Sequence, residues 1–278
     1  MKARFVGCAL ALLVGAAASS TRAATVTLQA DLGDSDWFHG IRNGDLVVTT
    51  NLPGFSKITT YVGAYKWTVV GSTSVDFTNG SNLFSYCMQK GQDFDGTVPY
   101  TFDVNPALVG SPVGGVDGVT PAYVDSIAAL QLQGLVTNHW NDSLTSDANA
   151  AAFQLAVWEI EYDAGGVAPP PTAETLGGKL SSDYFGVGAG IISASGTGDG
   201  QTAINTATQW LNGLSTTPTS VTTAVALNSG ANSSPADIQD HLVYVIGGGS
   251  TVPVPAALPV GLAMLAGMFA VRSLRRRA

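Results

Sequence analysis

Apolar, β-branched and aromatic residues along this chain first gather in short runs set between polar turns, and only later take the wider spacing of helices. The runs Thr25-Val26-Thr27-Leu28-Gln29-Ala30, Leu46-Val47-Val48-Thr49-Thr50, Ile58 to Val70, Phe84 to Met88 and Pro99 to Val104 predict strands, each bounded by Gly, Asn, Asp or Pro. Ser220 to Leu227 and His241 to Ile246 predict two more. Helices are expected over Pro121 to Val136, opened by Thr120, over Asp147 to Tyr162, opened by Ser146 or Asp147, and over Gln201 to Leu214. Gly- and Pro-rich stretches at Gly110 to Gly118, Gly165 to Pro171 and Gly186 to Gly200 read as surface loops. The expected fold class is α+β: a β-rich sandwich or barrel with a small helical subdomain.

Two apolar segments lie outside this pattern and read as targeting signals. Lys2 and Arg4 precede an apolar run from Phe5 to Ala18, and small residues lead to Thr21-Arg22-Ala23-Ala24, which predicts a signal peptide over 1–23. At the other end, Gly247-Gly248-Gly249-Ser250 opens a linker, and an apolar stretch over about 256–271 is followed by Arg272 and Arg275-Arg276-Arg277. That order predicts a transmembrane helix with a positive cytoplasmic end. Residues 24–246 between the signals are expected to form one extracellular domain, long enough for a sizeable core.

Charge then narrows the partners. All 20 acidic residues fall between the two signals, against Arg42, Lys57, Lys66, Lys90 and Lys179, for a net charge of about −15 there. Nucleic acid and anionic membrane surfaces are poor partners for such a domain.

The tail Val252-Pro253-Val254-Pro255-Ala256-Ala257-Leu258-Pro259, with its apolar stretch and arginines, resembles the PEP-CTERM sorting signals, nearest their Val-Pro-Leu-Pro-Ala variant. Val254 stands where the usual Pro-Glu-Pro has glutamate. The resemblance implies processing by an exosortase in a Gram-negative bacterium, initial anchoring in the inner membrane, and a final place at the cell surface or in the extracellular matrix.

Cysteine usage supplies the candidate chemistry. Cys8 lies inside the predicted signal, so the mature chain carries a single thiol, Cys87, into an oxidising compartment. Within the predicted helix Asp147 to Tyr162, Gln154 shares a face with Ala150, Ala151, Val157 and Trp158. A primary amide on an apolar stripe either finds hydrogen-bond partners or is chemically altered, since leaving it unpaired costs about 1–3 kcal/mol. A thiolate pressed against a carboxamide in a water-poor site can expel ammonia and form an intramolecular thioester. Tyr86, Phe153 and Trp158 are the candidates to shield that bond from water.

At these residues the chain resembles the thioester domains of bacterial surface proteins, whose pattern is aromatic-Cys in a strand and Gln-x-Ala-Ile/Val-Trp in a later helix. Tyr86-Cys87 and Gln154-Leu155-Ala156-Val157-Trp158 carry the resemblance, which spans Phe84 to Tyr162. Phe153 stands where that family often has threonine. The resemblance implies a Cys87–Gln154 cross-link opened by a surface protein amine or a polysaccharide hydroxyl: a covalent, adhesin-like binder used once, and no enzyme.

Other constellations read as ordinary. His39, His139 and His241 lack metal-ligand spacing and read as surface or loop histidines. Asp34-Ser35-Asp36 and Asp93-Phe94-Asp95-Gly96 read as solvated turns, so neither metal nor cofactor is expected. Glu159 and Glu161, five and seven residues past Gln154, read as off its immediate face and receive no proton-transfer role. Two alternatives stay open: a dimer joined through Cys87, and a non-covalent structural or carbohydrate-binding matrix protein with Trp37, Trp67 or Trp140 as contact points.

Overall fold

A computed structural model describes residues 24–30, 37–42, 45–50, 61–88, 98–113, 122–124, 126–161, 192–214, 223–229 and 240–245. The expected signal peptide, the C-terminal linker and anchor, and the turns Asp34 to Asp36 and Asp93 to Gly96 lie outside these residues. Among the described residues no helix is long and apolar enough to cross a membrane.

In chain order the strands are β1 (Thr25–Ala30), β2 (Phe38–Ile41), β3 (Leu46–Thr50), β4 (Val62–Ser72), β5 (Asn82–Cys87), β6 (Tyr100–Asn105), β7 (Pro112–Val113) and β8 (Ala122–Tyr123). Helices α1 (Ser126–Ser143) and α2 (Asp147–Glu159) follow, then β9 (Ile192–Gly196), α3 (Asp199–Gly213), β10 (Thr223–Asn228) and β11 (His241–Val245). The main sheet runs β1-β6-β10-β11-β5-β4, and β4 pairs back onto β1, so six antiparallel strands close into a barrel with β2 added beside β4. Closure leaves no long unpaired edge among these strands.

β1 shows how sequence alternation builds the wall. Val26, Leu28 and Ala30 are buried and Thr25, Thr27 and Gln29 between them are not, the period of two a strand imposes. Trp67 of β4, Phe102 of β6 and His241 of β11 meet inside, with the His241 ring 5.2 Å from Trp67 and 5.6 Å from Phe102.

Outside the barrel, α2 is buried along nearly its whole length, with Asp147 and Asn149 excepted. Its alanines at 148, 150, 151, 152 and 156 present so little bulk that the barrel and α3 both pack closely against it. One hydrophobic cluster therefore takes in strands and helices together, and the helices are a layer on the barrel wall, not a separate subdomain.

Several boundaries differ from the sequence pattern. Ala122–Tyr123, expected in a helix, instead pair with Pro112–Val113, and the Val124 N–H bonds the Ser111 carbonyl. That small ladder postpones α1 to Ser126, and the helix continues past Val136 because Trp140 packs edge-on against Tyr86 and Phe153. The Gly186 to Gly200 stretch, read as loop, contains β9, which supplies the partner strand β3 needs, and also the start of α3. β2 was too short and too interrupted by Gly40 to stand out in the sequence pattern.

Candidate functional site

Cys87 ends β5, where one neighbouring strand has departed. The β4–β5 ladder runs from Thr68↔Asn82 to Ala64↔Tyr86 and stops. Beyond it β4 is drawn toward β2, where Gly63 and Gly40 lie opposite each other with φ of +157° and +153°. A Cβ on Gly63 would strike the His39 carbonyl, so only glycine allows this approach. On the other side, β11 still pairs with β5, with His241 opposite Cys87 and the Met88 N–H bonded to the Asp240 carbonyl at 2.8 Å. Backbone groups of successive strand residues point to opposite sides, so the Cys87 amide and carbonyl face the gap that β4 leaves.

Gln154 fills that gap. The Cys87 N–H donates to Gln154 Oε1 at 2.8 Å, and Gln154 Nε2 donates to the Cys87 carbonyl at 2.7 Å. The side-chain amide thus takes the place of a peptide unit from a missing strand. Both residues are buried, and Cys87 is in no disulfide.

Local sequence accounts for the positioning. α2 is capped by Ser146, whose side chain accepts the Asn149 N–H, and Asp147 in its first turn favours the positive end of the helix dipole. Asp147 also accepts the Gly40 N–H at 3.0 Å, pinning the start of α2 to β2. Seven residues on, Gln154 returns to the same helix face. On the strand, Tyr86 alternates with Cys87 and faces the helices. Its ring lies 4.4 Å from Phe153 and 5.5 Å from Trp140, and its hydroxyl donates to Ser143 Oγ at 2.6 Å. Burial raises the Tyr86 pKa against the opposing effect of that hydrogen bond, so the phenol stays neutral.

On the barrel side lies a second polar group. Trp67 Nε1 donates to Ser85 Oγ at 2.7 Å, and Ser85 Oγ is hydrogen bonded to His241 Nδ1 at 2.9 Å. Burial lowers the His241 pKa to about 3, so the imidazole is neutral at ordinary pH. His241 was expected on the surface and is instead wholly buried inside the barrel, because its β11 position falls on the interior face. His139 is on α1, stacked 4.7 Å from Trp210, and burial lowers its pKa, against the opposing hydrogen bond and charge of Asp142.

Glu161 requires another correction. Seven residues beyond Gln154, it lies two turns further along the same face and is buried, with no hydrogen-bond partner for either carboxylate oxygen among the described residues. Burial raises its pKa well above the usual range, and the charge of Asp240 raises it further. Asp240, whose side chain accepts the Ser229 N–H, is itself raised to about 6 by burial, which outweighs that hydrogen bond.

The structure therefore brings Cys87 and Gln154 together, with Tyr86 and Phe153 packed beside them. Trp158 is also buried. It does not make Trp67 or Trp140 available for ligand contact, since both are buried. Sequence reasoning missed the Glu161–Asp240 pair: the seven-residue spacing from Gln154 could have placed Glu161 on the buried face, and nothing local marks Asp240 as its neighbour. No family model, curated protein or solved structure matches this chain.

Proposed function

We propose that the chain is an exported cell-surface or biofilm-matrix protein in which Cys87 and Gln154 form an intramolecular thioester for a single covalent attachment to a surface amine or hydroxyl. The reading is carried by the reciprocal hydrogen bonds of 2.8 and 2.7 Å that hold the Gln154 carboxamide on the Cys87 main chain. In the step proposed, the Cys87 sulfur bonds to Cδ of Gln154, the thiol proton passes to Nε2, the C–N bond breaks and ammonia leaves. Charge building on Oε1 would be met by the Cys87 N–H, a donor already aimed at it. An incoming amine or hydroxyl would then bond to Cδ and return its proton with the departing Cys87 thiol. The PEP-CTERM-like tail supports export, exosortase processing and a surface location in a Gram-negative cell.

A second reading has its own support. Both polar atoms of Gln154 are satisfied by Cys87, which is also how an unreacted core amide would rest in a non-covalent matrix protein. Thiol labelling separates the two. Under the thioester reading, methylamine treatment followed by denaturation and alkylation yields one alkylated thiol and an N-methylated Gln154. Methylamine leaving Gln154 unmodified would favour the second reading.

A further inference from the structure

We propose that the cleft between β2 and the first turns of α2 and α3 is a binding site for an uncharged oligosaccharide. The cleft is open to solvent, measures about 610 Å³ and is lined by His39, Gly40, Arg42, Asp45, Asp147 and Asp199, among others. That volume falls within the range of small-molecule sites, roughly 300–1,000 Å³.

The lining is held in place by its surroundings. The Arg42 guanidinium carbon lies 5.3, 5.4 and 5.6 Å from the ring centres of Trp37, Phe38 and Tyr61, so three aromatic rings support a planar donor. Asp147 is fixed by the Gly40 N–H at 3.0 Å. The Asp45 carbonyl accepts the Thr197 N–H at 3.0 Å, and a Cβ on Gly200 would strike that same carbonyl. Asp45 and the start of α3, with Asp199, are thereby kept side by side.

Charge and donor pattern select the ligand class. Three carboxylates disfavour a phosphate or uronate. No three acidic, histidine or cysteine side chains among the described residues converge as metal ligands. What remains is a donor, Arg42, and acceptors, Asp45 and Asp199, facing one space, with His39 able to serve as either. Hydroxyl groups, which donate and accept at once, satisfy such a mixed lining; an ammonium cannot accept and a carboxylate cannot donate.

The site does not depend on the thioester. It does lie near it: Asp147 precedes Gln154 by two turns of α2, about 10 Å of helix. A bound saccharide would present hydroxyls on the side of the molecule where the acyl group is proposed.

The test uses the full chain and calorimetric titration with hexasaccharides of glucose, mannose, galactose and N-acetylglucosamine, and of a uronic acid. We expect at least one neutral hexasaccharide to bind, the uronic one not to, and Arg42→Ala and Asp199→Asn each to weaken binding at least about tenfold. Cys87→Ala should bind as the parent does, so failure of the thioester leaves this result readable. Binding of no neutral hexasaccharide, preference for the uronic one, or unchanged affinity in both cleft variants overturns the proposal.

Discussion

Gln154 and Glu161 occupy the same face of one buried helix region, two turns apart, yet their polar groups meet opposite fates. The Gln154 amide has both a donor and an acceptor in Cys87, because β4 leaves β5 one residue early and exposes a peptide-sized gap. Glu161 meets another carboxyl, Asp240, and has no hydrogen bond among the described residues. Burial alone therefore says little about the energetics of a polar residue. The partner decides whether it anchors the helix or strains it.

The largest effect is expected from breaking the satisfied half. Gln154→Ala leaves the Cys87 N–H and carbonyl unpaired in the interior and should lower unfolding free energy by on the order of 3 kcal/mol, read from the denaturant midpoint. A loss below about 0.5 kcal/mol would mean that the amide holds no structural place.

The strained half is sharpened by pH. Asp240 and Glu161 have folded-state pKa values raised by burial, so the folded chain holds protons that the unfolded chain releases. Their stabilising contribution is complete below the unfolded carboxyl range and is lost as pH rises through the folded values. For Asp240, from 3.8 to about 6, the loss is on the order of 3 kcal/mol. His241, lowered to about 3, works in the other direction, adding stability as pH rises from about 3 to 6.5. Two carboxyls thus oppose two imidazoles, His241 and His139, across this range, and Asp240→Asn removes one of the carboxyls, so between about pH 4.5 and 6 the stability of that variant should rise with pH relative to the parent. Thermal unfolding of both proteins at closely spaced pH values checks this, and parallel profiles would contradict it.

A smaller change isolates one carboxyl. Glu161→Gln removes the ionisable group without changing its shape and should stabilise the protein by about 1–3 kcal/mol at pH 8, with little effect at pH 4, tilting the pH profile upward relative to the parent. Equal shifts at both pH values would show that charge is not the cause. Smaller still, Tyr86→Phe removes the hydroxyl bonded to Ser143 and should cost about 1 kcal/mol by chemical denaturation, the ring packing on Phe153 being retained.

Much of the barrel was legible because its strands carry the pattern locally. Thr25 to Ala30 matches β1 at both ends, and outside the barrel Leu46 to Thr50 matches β3, since alternation and turn residues are written into each short segment. Closure of β1 onto β4 was not legible, because pairing between distant strands leaves no local mark. α2 could be read from its Ser146 cap and apolar stripe. β9 could not, as Ser, Ala and Gly in Ile192–Gly196 become a strand only against β3. At the site, helix periodicity placed Gln154 on an apolar face. It could not show that the partner would be the Cys87 main chain, which depends on the Gly63–Gly40 approach. The buried place of His241 also depends on barrel closure, which is why its isolated sequence context suggested a surface residue.

The central claim concerns the covalent state of Cys87 and Gln154, and intact mass of the purified full chain, as wild type and as Cys87→Ala, tests it most directly. The account predicts wild type lighter than its sequence by one ammonia, with the deficit absent in Cys87→Ala. Wild type at its full sequence mass, freshly purified without amines, would contradict it.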